Sequence, residues 1–241
     1  MNRKPALTAA AIARLIMSIS LSSLPRLLQL CSPTLPVGAF AWSQGLECAV
    51  DRGWVRDEAS AGQWILGLLG HTQRRLDLPV FARLYAAWLN DDAATIRQWN
   101  ARLYASREAA ELQREDQQMG AALARLLTDL GIVEAEPWRT EPRGCFATSF
   151  SLAAAQWAIP LPEAATGYVW TWAENQIIAA ARLIPLGQTA AQRLLSAAGP
   201  VITVTVAEAL AITDEDIGAS APGLALAGAL HETQYSRLFR S

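Results

Sequence analysis

The chain has 241 residues, of which 52% are hydrophobic and 17% charged, and its formal net charge is −2. That length and apolar content suit one domain with a sizeable core and exclude wholesale disorder. The near-neutral balance leaves no global basic field for nucleic acid or an anionic membrane, and Lys4 as sole lysine excludes a P-loop, a kinase phosphate site and a Schiff-base enzyme.

Residues 1–22 read as a flexible extension: Arg3 and Lys4 precede an apolar run, Ala6–Leu21, that Arg14 interrupts, and Met17 offers an alternative start. From Leu27 the chain begins helical, enters a loop punctuated by Pro33, Pro36 and Gly38, and resumes as a helix over 43–52. Asp57 is a plausible N-cap for a helix carrying Ala61, Trp64, Ile65, Leu68 and Thr72 on one stripe. Helical patterns follow over 78–90 and 92–105. Leu112, Met119, Leu123, Leu126, Leu127 and Leu130 mark another helix that stops at Gly131, with Asp116 falling inside the stripe. Val133–Gly144, with Pro137 and Pro142, reads as an irregular connection between two helical halves. Helices are then expected over 145–158, over 169–184 up to Pro185, and over 187–198 and 200–211. Pro200–Val206 is the best strand candidate, but its neighbours are helical and it has no partner, so it reads as helix. The expected architecture is all-α, a single bundle-like globule of about ten helices, with the domain at 23–230 and a tail at 231–241.

Reactive groups are sparse. Histidine is limited to His71 and His231, which rules out a His-rich metal site. Cys31, Cys48 and Cys145 are too widely spaced for a zinc pattern and read as reduced thiols of a cytoplasmic protein. His231-Glu232 begins like a zincin motif, but position 235 is Tyr, so the second imidazole is absent. Asp214, Glu215 and Asp216 read as a solvated helix start. Glu108, Glu111, Glu115 and Asp116, alternating with Arg107 and Arg114, read as an exposed face with i,i+4 pairs. Two segments stand out. In the loop, Phe40 and Trp42 are either staples to the core or a contact surface. In the ending HETQYSRLFRS, Tyr235, Leu238 and Phe239 flanked by Arg237 and Arg240 are either docked on the body or offered to a partner.

These segments carry a resemblance. LLQLCSPTLPVGAFAWSQGLE near the start, EN…ARLIPLGQTAAQRLL in the middle and DIGASAPGLALAGALHETQYSRLFRS at the end are similar to the urease accessory protein UreF family. They cover about a third of the chain. The family often has Ser-Tyr where this chain has Ala41-Trp42, and a basic residue where it has Leu230. The resemblance implies an all-α homodimer without enzymatic activity or a bound cofactor. Such a protein bridges a UreD/UreH-type accessory protein and the GTPase UreG, while the partners handle nickel and GTP during nickel insertion into apo-urease. It implies no nucleic acid or membrane partner and a cytoplasmic location. The tail residues Tyr235, Ser236, Arg237, Leu238, Phe239 and Arg240 are the expected partner-binding set. Gln44, Glu47, Glu174, Asn175, Gln188 and Arg193 are candidates for an interface or a GTPase-facing surface. Competing readings are a helical adaptor unrelated to urease and an all-α hydrolase using a carboxylate with His71 or His231.

Overall fold

The computed structural model describes residues 19–240, so the expected extension lies mostly outside the described residues. Ten α-helices and no strand occur among the described residues. They are α1 Leu24–Leu30, α2 Leu46–Asp51, α3 Glu58–Leu68, α4 Leu78–Leu89, α5 Ala93–Ala105, α6 Ala110–Asp129, α7 Phe146–Gln156, α8 Leu161–Leu183, α9 Gln188–Leu210 and α10 Pro222–His231. The expected all-α architecture is the observed one.

Local chemistry sets several of these ends. Asp57 caps α3 in a capping box: its carboxylate accepts the Ser60 N–H at 2.8 Å and the Ser60 hydroxyl accepts the Asp57 N–H at 3.1 Å. Gly131 takes φ 89° just past α6, where Gly131 N–H donates to Thr128 and Ile132 N–H to Leu127, the pattern of a Schellman stop. The Val133–Arg139 part of the expected irregular connection is a 3₁₀ helix lying on α6 and α7.

Helix α8 starts at Leu161 rather than at 169, α10 falls where no helix is expected, and two further boundaries differ. The stretches 187–198 and 200–211 form one helix, α9, that runs through Pro200. Pro200 is exposed, so the backbone group it leaves unpaired faces water, and Gly199 before it has no Cβ to meet the proline ring. The second difference lies between α3 and α4, where Leu69–Asp77 is a π-helix and the chain stays helical from Glu58 to Leu89. Leu78 N–H reaches back to Gln73. Pro79 has no N–H for the Arg75 carbonyl, and that carbonyl accepts from Gly218 N–H at 2.9 Å instead.

The main core lies between α4, α7 and α8. Tyr168 stacks on Phe81 with ring centroids 5.1 Å apart and meets Phe150 edge-on at 5.5 Å. A second, smaller apolar cluster joins Leu46, Ala61, Ile65, Ile177 and Leu194 from α2, α3, α8 and α9. Its last member is Phe239, so the tail closes this cluster. Helix α9 is long and apolar enough to cross a membrane. Ala198, Ile202 and Val206 along it are part of the main core.

Candidate partner-docking site

The tail returns to the body over residues laid down far earlier. Gly45 takes φ 74° and opens α2, whose second residue is the buried Glu47. Glu111 sits in the first turn of α6 and is 1% exposed. His231 ends α10 and is fully buried between them. Its Nδ1 lies 2.7 Å from Glu111 Oε2 and its Nε2 3.1 Å from Glu47 Oε2. Glu47 also accepts the backbone N–H of Leu238 at 2.6 Å and of Phe239 at 2.8 Å. Arg237 donates to Glu111 Oε1 at 3.0 Å. Arg240 N–H donates to the Ala41 carbonyl at 2.8 Å, and its guanidinium lies over the Trp42 ring and reaches Gln118.

The tail is docked on the body, but not with all of its side chains. Phe239 is buried in the chain's own second cluster, so it does not stand free to fill a pocket elsewhere. Tyr235 and Leu238 face outward, Leu238 at 65% exposed and Tyr235 at 105%. The loop aromatics divide likewise: Trp42 is buried as a staple and Phe40 is exposed. Gln234 Nε2 donates to the Ser236 carbonyl within the tail.

Of the other expected residues, the structure gathers some and separates others. Gln44 donates to Glu115 Oε1 at 2.8 Å and accepts from Trp172 Nε1 at 2.7 Å. Asn175 donates to the Trp42 carbonyl at 3.2 Å. These two therefore brace the loop that receives the tail, beside Glu47. Glu174 is half-buried, and burial raises its carboxyl above the ordinary range. Gln188 is exposed at the first position of α9. Arg193 forks onto Glu58 of α3 at 2.8 and 2.6 Å and, among the described residues, makes no hydrogen bond to the tail.

The acidic run on α6 is not the exposed face expected from sequence. Glu111, Glu115 and Asp116 are buried, whereas Glu108 and Arg114 are exposed. Arg107 bridges Asp116 and Asp77, both at 2.7 Å, and Asp116 also accepts the Phe146 N–H that opens α7. Burial opposes the Arg107 charge, but Asp116 and Asp77 outweigh it and keep the guanidinium protonated. Burial raises the Asp77 carboxyl despite Arg107, and pushes Glu115 up to about 8, with Gln44 opposing and Asp116 reinforcing the shift. Gln73 Oε1, Asp77 Oδ2 and Glu115 Oε2 receive no hydrogen bond from the protein and line a cavity of about 90 Å³. Among the described residues no cluster of three His, Cys, Asp or Glu side chains could hold a metal ion. Sequence reasoning missed Asp77, Arg107, Glu111, Glu115, Asp116 and His231 as members of the site. The available signal was Asp116, an acid on an otherwise apolar stripe.

Known proteins give this arrangement a context. The UreF family model matches residues 55–199. A protein of Alkalilimnicola ehrlichii called "Urease accessory protein UreF" is 51% identical over 90% of this chain and 95% of its own length. Its counterparts in Chromohalobacter salexigens and Hahella chejuensis are each 50% identical over 91% of this chain, spanning 95% and 98% of their own lengths. The chain belongs to the UreF family. The residues matched by the UreF model run from just before α3 into α9 and include Glu111, while Glu47 and the tail lie on either side of them.

Proposed function

We propose that this UreF-family chain is a non-enzymatic accessory protein of urease maturation, and that its tail surface docks a UreD/UreH-type protein. The observation that carries this reading is the tail's two-sided build. Its backbone is tied to Glu47 and Ala41, while Tyr235 and Leu238 point away from the body. Pre-ordering spares the partner the entropy cost of fixing a loose peptide, and an exposed Tyr beside an apolar side chain is a common anchor. Arg237 and Arg240 rim the same surface. On this reading the chain bridges to the GTPase UreG through a second face, works as a homodimer in the cytoplasm, and leaves nickel and GTP to its partners. Gln44, Asn175 and Glu174 support the loop under the tail, and Gln188 with Arg193 are offered for the second face.

The test uses the full chain with Tyr235→Ala and Leu238→Ala together. Both side chains are exposed, so the melting temperature is expected to hold. Co-expressed with the UreD-type protein and UreG, the wild-type chain retains both, and the double variant loses the UreD-type protein. Retention of that protein at wild-type level would place the docking surface elsewhere.

A further inference from the structure

Gln73, Asp77 and Glu115 each turn an acceptor into one cavity, and their neighbours hold them that way. Gln73 and Asp77 lie on the π-helix and are buried. Arg107 takes Asp77 by Oδ1 and Asp116 by Oδ2, which leaves Asp77 Oδ2 on the cavity wall. Asp116 Oδ1 accepts the Phe146 N–H, so both oxygens of Asp116 are engaged. On the α6 side, Trp172 donates to Gln44 and Gln44 to Glu115 Oε1, which leaves Glu115 Oε2 for the cavity. No hydrogen bond from the protein reaches Gln73 Oε1, Asp77 Oδ2 or Glu115 Oε2. A buried acceptor without a donor costs free energy, so three around one cavity of about 90 Å³ set a demand for N–H or O–H groups. The wall is also short of positive charge: Asp77 and Asp116 face the single guanidinium of Arg107 before Glu115 is counted. The exposed Glu108 lines the same space, which therefore reaches the surface.

These groups call for one monocation with several N–H groups. A divalent metal ion needs oxygens converging at about 2.0–2.6 Å, and no three acidic side chains among the described residues do so. Arg107 beside them also repels a double charge. An ammonium ion is no larger than a water molecule, whose share of volume is about 30 Å³, so it cannot reach acceptors spread around this cavity at once. A guanidinium group is flat, sends N–H groups outward in one plane to separate acceptors, and accepts apolar or aromatic surface against its faces. Leu112, Met119, Tyr168 and Trp172 supply that surface. We propose that this cavity is a binding site for a guanidinium group, held through Gln73 Oε1, Asp77 Oδ2 and Glu115 Oε2. Free guanidinium compounds and an arginine side chain from another protein both carry this group. Glu115, pushed up to about 8 by burial, keeps its proton at neutral pH, and a cation beside it favours the carboxylate, so binding expels that proton. Of the charged groups around it, Asp116 holds the proton on and Arg107 draws it off, while Asp77 and Glu108 keep the surroundings negative. The site stands or falls independently of which partner the tail meets.

Guanidinium chloride is the first probe, added to the full chain up to about 20 mM, where its denaturing action is slight. Sodium chloride and ammonium chloride at equal concentration are the controls. The expected result is a rise in melting temperature that saturates with guanidinium alone. Calorimetry at neutral pH, in buffers of different ionisation heat, should show release of a large part of one proton per chain. N-acetylarginine amide is the second probe. If it binds too, the mouth admits an arginine stem and a protein can supply the group; if guanidinium binds and this compound does not, the site serves free guanidinium compounds. Glu115→Gln keeps the bond to Gln44 and should weaken guanidinium binding by about tenfold to a hundredfold, the scale of one charge-assisted hydrogen bond, and abolish the proton release. If that variant does not fold, proton release by the wild-type chain decides. No saturating rise, a rise that sodium or ammonium matches, or binding without proton release overturns the inference.

Discussion

Glu115 is a carboxyl in a cavity that desolvates it more than its partners compensate, which raises it from 4.5 to about 8. The sign for stability follows from proton counting. Between about pH 4.5 and 8 the folded chain keeps a proton on Glu115 that the unfolded chain gives up, so stability falls as pH rises through that window. Glu115→Gln keeps the shape and the bond to Gln44 but removes the titration. It should flatten the decline, with a gain at pH 8 of roughly a few kcal/mol. Melts of both proteins at several pH values check this, and parallel pH profiles would refute it. The acids of α6 show what the sequence concealed. Alternation with arginine suggests pairs on a wet surface, yet Arg107 lies just before α6 and reaches Asp77, 30 positions earlier. Local spacing cannot display such a partner. Asp116 carries the one signal to the contrary, since it falls between Leu112 and Met119 on the apolar stripe, yet with its neighbours it reads as part of an exposed face.

At the scale of elements, α10 carries His231 to its place by approaching α2 and α6 unusually closely. A Cβ on Gly45 would lie 2.9 Å from Ala227 Cβ, and one on Gly228 would lie 2.8 Å from Ala109 Cβ. Gly228→Ala should therefore push α10 away from the start of α6 and cost about 1–3 kcal/mol by overpacking. Ala109 is the N-cap of α6, where glycine is well tolerated, so adding Ala109→Gly should recover most of the loss. Urea titrations of the single and double variants measure the recovery, and an additive double variant would show that the close approach is not the cause. Helix ends that depend on a single residue, such as Asp57 and Gly131, were legible in the sequence. The π-helix was not, since a 3.6-residue period describes α3 and α4 equally well whether or not an i→i−5 register joins them. The unbroken α9 was missed because Pro200 reads as a stop, and its harmless position depends on exposure and on Gly199.

For the whole molecule, the segment 211–221 is stitched back onto early helices and carries α10 back to α2 and α6. Arg83 pairs with Asp214 at 2.9 Å, Arg102 donates to the Ile217 carbonyl at 2.6 Å, and His71 Nε2 donates to the Ser220 carbonyl at 2.9 Å. Phe239 then ends the second cluster. Truncating a buried Phe commonly costs about 3–5 kcal/mol. Here the tail can detach before the body unfolds, so the loss in global stability is capped by the free energy of docking the tail. Phe239→Ala should therefore lower the midpoint of unfolding only slightly while making Arg237 and Arg240 much more susceptible to trypsin. A large midpoint shift with unchanged cleavage would instead place the tail inside the cooperative core.

The bond from Glu47 to the Phe239 amide spans 192 positions, which gives the fold an order in time. Synthesis delivers α2, α3, α6, α8 and α9 first, and with them an apolar slot and two buried carboxylates, Glu47 and Glu111, that lack their occupant. Phe239 emerges after nearly all the rest, so the nascent body must persist with that slot open. Until it closes, this slot is an exposed apolar surface bordered by negative charge. Any apolar segment with two free N–H groups and a cation can compete for it, and the tail holds it chiefly because it is covalently attached and so present at high effective concentration.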